Sequence, residues 1–496
     1  MWCTNASRTT SWPTPPPAFL PRRAITHPPW RRPIWLCLAA GPAQRNPPIL
    51  WPHWTKAAAL PAATAWPICI GPCSIPPSFP GTTDMNPACN SSTHISRRTL
   101  LRTAGLSGLA WLTPVAHWLG RAQEQAPKGG SAKSIIMLWM GGGPSQLETF
   151  DPHPGKKIAG DTKAIRTAAK GIQIAAGLPQ TAEVMDEMTL VRSVVSREGD
   201  HERGTYHVKT GHRPDPTLVH PAIGAVVCHQ LNGPKDQQVD IPRHISILPN
   251  QWPARGGYLG AQWDAFKVYN TEGRAGNLTA RVKPERLDRR LDDLQVVEQN
   301  FARRRRPQLD EKTTLHNHTI DKALRMMRSD QINAFDVTQA PAATRDGFGK
   351  TPFGNACLAA VQLIETGVRC VEVTLNGWDT HANNHAFVAE QNAILDPALA
   401  GLIRELRARD RLKDTLVVCA GEFGRTPKIN AADGRDHWPT GFSIALAGGG
   451  IRRGYVHGET DPEGVSKEPG KAVSVADVHA TLLHALGIDT FKELMT

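Results

Sequence analysis

The 496-residue chain is 40% hydrophobic and 21% charged and carries a formal charge of +12. That charge is unevenly placed: residues 1–84 contribute +6 and residues 85–122 another +4, which leaves +2 from Gln123 onward. The excess therefore gives no support to a nucleic-acid or membrane-surface partner for the main part of the chain.

Residues 1–84 hold 18 of the 41 prolines and 7 of the 14 tryptophans, with Asp84 as their only acid. No period of a helix or strand survives among the prolines. The stretch reads either as a Pro-rich disordered extension or, preferably, as upstream DNA translated in error, with Met85 as the true start. The preference rests on the adjoining segment. Ser96-Arg97-Arg98-Thr99-Leu100-Leu101-Arg102 is a twin-arginine signature, Ala104 to Val115 is apolar, and Gly120-Arg121-Ala122 is a small-x-small cleavage site. Residues 85–122 are thus expected to be an export signal, which works at an N-terminus. Its apolar stretch is too short to span a bilayer, and nothing later resembles a span. The expected location is periplasmic or extracellular.

Residues 123–496 should form one large α/β domain. Ser134 to Met140 reads as the first strand and ends in Gly141-Gly142-Gly143-Pro144-Ser145; Met188 to Val195 reads as another. Around residues 285–345 the character changes. Leu287, Leu291, Leu294, Val297 and Phe301 recur at helical spacing among charged residues, and Arg303 to Arg306 come next, which predicts a charged helical insertion. Helices are expected at Gly354–Gly367, with Leu358, Val361, Leu363 and Ile364 inward, and at Ala398–Arg409. Strands follow them at Arg369–Leu375 and Thr415–Ala420, and one more is expected at Phe442–Ala447. This alternation predicts a mostly parallel sheet covered on both faces. Cys357, Cys370 and Cys419 fall in apolar patterns and read as buried thiols.

Three of these segments border loops rich in metal-ligand residues: Trp378-Asp379-Thr380-His381, Gly421-Glu422-Phe423-Gly424-Arg425-Thr426-Pro427 and Gly434-Arg435-Asp436-His437-Trp438-Pro439. Ligands of open α/β sheets bind beyond the carboxyl ends of the strands. Two carboxylates and two imidazoles there, Asp379, His381, Glu422 and His437, are enough for one divalent ion, with zinc, calcium, magnesium and manganese all compatible. The Gly141–Ser145 turn fits neither the dinucleotide fingerprint nor the P-loop.

Together with Gly142-Gly143-Pro144-Ser145-Gln146 and Phe150-Asp151-Pro152, these motifs resemble the domain-of-unknown-function 1501 family of exported bacterial proteins. The resemblance runs from Met85 to the end. It implies an alkaline-phosphatase-like three-layer sandwich, and an ancestry among metal-dependent phosphatases and sulfatases. In sulfatases a nucleophile stands nine residues before a Thr-Gly. Thr210-Gly211-His212-Arg213-Pro214 matches the end of that segment, and the position is His201 here, with Thr205 the nearest hydroxyl. Where the superfamily has Asp-Asn or Asp-His, this chain has Glu422-Phe423. The family also usually continues past the final Leu494-Met495-Thr496 through a short tail.

On this reading Asp379, His381, Glu422 and His437 hold the ion, Asp436 orients His437, His201 transfers a proton, and Arg425 holds the anionic group. The substrate is a sulfate or phosphate ester, of an acidic glycan for example. The other reading is a non-catalytic exported protein that binds a glycan or assembles with others.

Overall fold

The computed structural model describes residues 132–233, 238–273, 280–303, 315–466 and 468–490. The extension at 1–84, the signal at 85–122, most of the Arg303–Arg306 run and the C-terminal residues lie outside the described residues.

The strands in chain order are β1 (Ser134–Gly141), β2 (Ala164–Arg166), β3 (Gln173–Ala175), β4 (Met188–Val195), β5 (His244–Ile247) and β6 (Phe266–Val268). After a long helical stretch come β7 (Cys370–Asn376), β8 (Thr415–Ala420), β9 (Gly424–Arg425), β10 (His437–Trp438), β11 (Phe442–Gly448), β12 (Tyr455–His457) and β13 (Val473–Ser474). Nine of them form one sheet in the order β12-β4-β11-β8-β1-β7-β5-β6, with β13 also on β4. β1 runs parallel to β7 and β8, and β7 to β5, whereas β11 is antiparallel to both β4 and β8. β11 therefore enters the sheet at the end where its neighbours leave it, and the loop before β11 joins theirs.

The strands are legible in the sequence because both faces of the sheet are covered. All eight residues of β1 are buried, as expected of a strand inside a parallel sheet. Its alternate residues part between two cores. Ile136, Leu138 and Met140 face a cluster that includes the helices Pro352–Thr366 and Asn384–Ala408. Ile135, Met137 and Trp139 face the other, packed by Val208, Ile223, Val227, Val475, Val478 and Leu482 from the helices His201–Thr210, Ile223–Gln230 and Val475–Ala485. The result is the three-layer α/β sandwich with a mostly parallel central sheet that the apolar pattern predicts.

Pro352–Thr366 starts where its chemistry dictates. Thr351 caps it by accepting a hydrogen bond from the Gly354 N–H, Pro352 supplies a preset φ, and Gly367 ends it at φ 109°. Leu358, Val361, Leu363 and Ile364 are all buried there. The next helix is longer than the Ala398–Arg409 expected. It spans 25 residues, Asn384–Ala408, with Pro397 inside it. Between residues 284 and 346 the helices Pro284–Arg303, Leu315–Arg328 and Ala342–Asp346 form the helical insertion. Along the first of these Leu287, Leu291 and Leu294 are half-buried, while Val297 is exposed. Cys228, Cys357, Cys370 and Cys419 are buried, and burial pushes the thiols of the last three well above the ordinary range.

Candidate metal centre

Four segments deliver the site, all at one end of the sheet. β4 leads through Ser196–Asp200 into the helix His201–Thr210. The sequence suggests a loop at His201, but this residue opens a helix, whose N-terminus Asp200 caps by accepting from the Arg203 N–H (3.1 Å). β7 is followed by Gly377, at φ 107°, which turns the chain so that buried Trp378 anchors it before Asp379. β8 ends just before Glu422. The two-stranded ladder β9–β10 then sets Arg425 opposite His437 and Gly424 opposite Trp438.

Three imidazoles surround the Asp379 carboxylate. The Nε2 atoms of His201, His381 and His437 lie 3.3, 3.1 and 3.3 Å from its oxygens. On the far side of each ring, Nδ1 meets an acceptor. His201 Nδ1 donates to Glu422 Oε1 (2.9 Å), His381 Nδ1 to Asp436 Oδ1 (2.9 Å) and His437 Nδ1 to the Gly199 carbonyl (2.7 Å). A neutral imidazole with a proton on Nδ1 carries a lone pair on Nε2. Neutral rings with the proton on Nδ1 would all turn lone pairs toward a carboxylate, and His381 and His437 would turn theirs toward each other at 3.0 Å. Such an arrangement is repulsive unless a cation or extra protons enter it. Ligand atoms of His201, Asp379 and His437 lie within 4.8 Å of one another.

The charges answer to these contacts. Burial acts to raise the Asp379 pKa, but the hydrogen bond and charge of Arg425 and the neighbouring imidazoles bring it down to about 2. The hydrogen bond to Glu422 raises the His201 pKa, while burial lowers that of His437. Phe423 is fully buried beneath the rings, 5.1 Å from His201 and 4.4 Å from His437 between centroids, and Trp252 lies nearly parallel to His201 at 6.2 Å. The apolar floor keeps water away from one side. The other side is open, where the side chains of Asp379, His381 and Asp436 are about half exposed.

Several of the expected site residues stand elsewhere than their expected roles would place them. Expected to hold the ion beside Asp379, Glu422 instead has its Oε1 behind His201, where it also accepts the Gly142 N–H (2.8 Å). Asp436 orients His381 and not His437, whose Nδ1 is taken by the Gly199 carbonyl. His201, assigned to proton transfer, stands in the donor group itself. Arg425, expected to hold an anion, is fully buried: Nε donates to the Gly143 carbonyl, Nη1 to that of Arg435, and Nη2 to the carbonyls of Gly142 and Trp378 and to Asp379 Oδ1 (2.5 Å). It ties the loops together and holds the Asp379 carboxylate. Thr205 is buried at 1% exposure on the same helix as His201.

Backbone partners such as Gly199 cannot be found from sequence, because a carbonyl leaves no residue signature. The Gly142 turn follows from crowding: φ is 116°, and a Cβ would lie 2.5 Å from the Asp379 nitrogen. Other polar side chains of the domain make local structural contacts. Asp477 forms a capping box with Ser474, and His479 bonds the Val208 carbonyl. His207 meets Ser196 Oγ, and His385 reaches the Ala159 carbonyl. Glu148 forms a buried ion pair with Arg435 at 2.8 Å.

The fold is thus a mostly parallel α/β sandwich with an imidazole–carboxylate cluster at the carboxyl ends of its strands. Residues 132–496 match the family described as "Protein of unknown function (DUF1501)", and the chain belongs to that family. Comparison with curated proteins gave no match. Among solved structures, the chain is similar to the alkaline phosphatase from the Antarctic bacterium TAB5, at 12% identity and a TM-score of 0.32 over 72% of this chain and 98% of that one. The lipoteichoic acid synthase LtaP from Listeria monocytogenes aligns at 12% identity and a TM-score of 0.33, covering 74% and 76% of the two chains. The PsFucS1 sulfatase from Pseudoalteromonas sp. gives 12%, 0.34, 75% and 70%. No helix among the described residues is long and apolar enough to cross a membrane.

Proposed function

We propose that this protein is an exported metal-dependent hydrolase of sulfate or phosphate esters, carried out of the cell by the twin-arginine signal at Ser96–Arg102. The observation that carries the reading is the convergence of three imidazole Nε2 atoms on Asp379, each with its Nδ1 committed to an acceptor. Metal-bound histidines are held in this way from behind, and three or four N/O donors with an open side suit a catalytic divalent ion. Asp379, His201 and His437 would hold the ion, with His381 bordering the same space as the fourth donor. Such an ion, when bound, polarises an ester oxygen and acidifies water at neutral pH. The chain's own residues do the rest: Arg425 holds the Asp379 carboxylate, Phe423 excludes water beneath the rings, and the exposed side at His381 and Asp436 admits the substrate.

The second reading, a non-catalytic family member that binds a glycan, draws on His201 standing where a hydroxyl nucleophile is found in sulfatases. Metal content separates the two. The full chain purified without chelator should hold one or two divalent ions per chain by elemental analysis, and the His437→Ala variant should hold fewer. A folded wild type that takes up no divalent ion would overturn the hydrolase reading.

A further inference from the structure

Glu422 is a carboxylate at a metal-ligand position in sequence, yet its geometry gives it other work. Its side chain is 1% exposed. Oε1 takes two donors, the Gly142 N–H at 2.8 Å and His201 Nδ1 at 2.9 Å, while Oε2 is buried with no hydrogen-bond partner. It meets His201 on the side of the imidazole opposite Asp379, which faces Nε2. An ionised carboxylate accepts only, and Glu422 Oε1 stands closer to Nδ1 (2.9 Å) than Asp379 does to Nε2 (3.3 Å), which favours the proton on Nδ1.

We propose that Glu422 is a positioning residue that selects the Nδ1–H tautomer of His201, with the Gly142 N–H pinning the carboxylate, and that it is not itself a ligand of the ion. The backbone carbonyl of Gly199 does the same for His437. The two rings differ in one respect: His201 meets a side-chain carboxylate, which can be substituted, and His437 a backbone carbonyl, which cannot. The turn after β1 thereby acts on His201 through Glu422. A side chain at residue 142 would meet Trp378 and Asp379, so only glycine lets the chain lie close enough to hold Glu422 in place. The part of the proposal that concerns affinity rests on the metal reading; the tautomer does not.

The test combines two measurements on the full chain. Nitrogen-15 histidine spectra at alkaline pH, with signals assigned through His201→Gln and His437→Gln, report which ring nitrogen carries the proton without any metal. Calorimetric titration with Zn²⁺ and then with Mn²⁺ alone reports affinity. Wild type is expected to show Nδ1–H at both rings. Glu422→Leu should shift His201 toward Nε2–H, leave His437 unchanged, and weaken the ion by about 10–100-fold, the usual loss when such a partner is removed. Glu422→Gln, which keeps an acceptor and the volume, should retain the tautomer with a smaller loss; it also keeps the test usable if the leucine variant does not fold. An Nε2–H signal for His201 in the wild type overturns the proposal. So does a Glu422→Gln protein with the wild-type tautomer whose binding is abolished as fully as in Asp379→Asn, since that marks a ligand. A wild type with both Nδ1–H signals and no uptake of either ion sinks the metal reading and leaves the positioning role standing.

Discussion

Asp151 shows how a single residue outside the imidazole cluster can carry a pH dependence. Its Oδ2 accepts from the Thr460 N–H (2.9 Å) and hydroxyl (2.7 Å), His153 Nε2 lies at 3.2 Å and Arg192 at 3.5 Å. Burial alone acts to raise its pKa, but the His153 hydrogen bond, the Arg192 charge and the Thr460 N–H outweigh it and leave the value lowered. A carboxyl whose folded pKa lies below its unfolded value stabilises the fold above the unfolded value, and this contribution is lost as pH falls through the folded one. The wild type should therefore lose stability across the acid range below ordinary carboxylate values. Asp151→Asn should be less stable near neutrality and should show a shallower acid slope in urea unfolding. Equal slopes in the two proteins would show that other carboxylates set the acid limit. Arg425 is the other residue whose loss should be felt. Arg425→Met would orphan carbonyls at Gly142, Gly143, Trp378 and Arg435, at about 1–3 kcal/mol for each acceptor that water cannot reach. The expected loss is about 3 kcal/mol or more in chemical unfolding; a neutral substitution would mean that the loops re-pair without it. From sequence Arg425 reads equally well as an anion clamp, because what decides is burial, and burial of one polar residue has no periodic signature.

Among the elements, legibility tracks the hydrophobic pattern. β1, β4, β7, β8 and β11 are visible as runs of apolar residues, since a parallel sheet buried on both faces demands them. β5, β6, β12 and β13, with four residues or fewer each, are too short for any period to show. The helix His201–Thr210 is hidden for a different reason: its sequence, HERGTYHVKT, is mostly polar, and only Gly204, Thr205, Val208 and Lys209 are buried. Lys209 can be buried because it pairs with Glu372 at 2.9 Å. The helix Asn384–Ala408 reads short in the sequence because Pro397 looks like a boundary. Tertiary packing overrides that signal: Leu395, Leu399, Leu402, Ile403 and Leu406 are fully buried on either side of it. Pro costs about 3 kcal/mol relative to Ala inside a helix. Pro397→Ala should accordingly raise the melting temperature. A fall would show that the ring's packing beside Gly349, where a Cβ would approach Pro397 Cγ to 3.0 Å, outweighs the backbone penalty.

At the scale of the molecule, the site is a product of topology. His201, Asp379 and His437 are far apart in sequence and meet only because β4, β7 and β8 end, and β11 begins, at one edge of the layer. The loops can be named from sequence because each follows or precedes an apolar run. Which side of an imidazole faces which carboxylate cannot, since that depends on the turn at Gly142 and the carbonyl of Gly199. The same long separation makes a thermodynamic prediction. An unfolded chain cannot gather donors spread over that length, so an ion would bind the native state almost alone and stabilise it by RT ln(1 + [L]/Kd), about 2.7 kcal/mol at a concentration roughly 100 times Kd. Adding the divalent ion that binds should raise the melting temperature of the wild type, and chelation should lower it to the value of the metal-free protein. Asp379→Asn should melt at one temperature with or without the ion. If the wild type and Asp379→Asn respond alike, the ion is binding elsewhere on the surface, and the convergence of imidazoles on Asp379 would have to be explained by protons shared among the three rings.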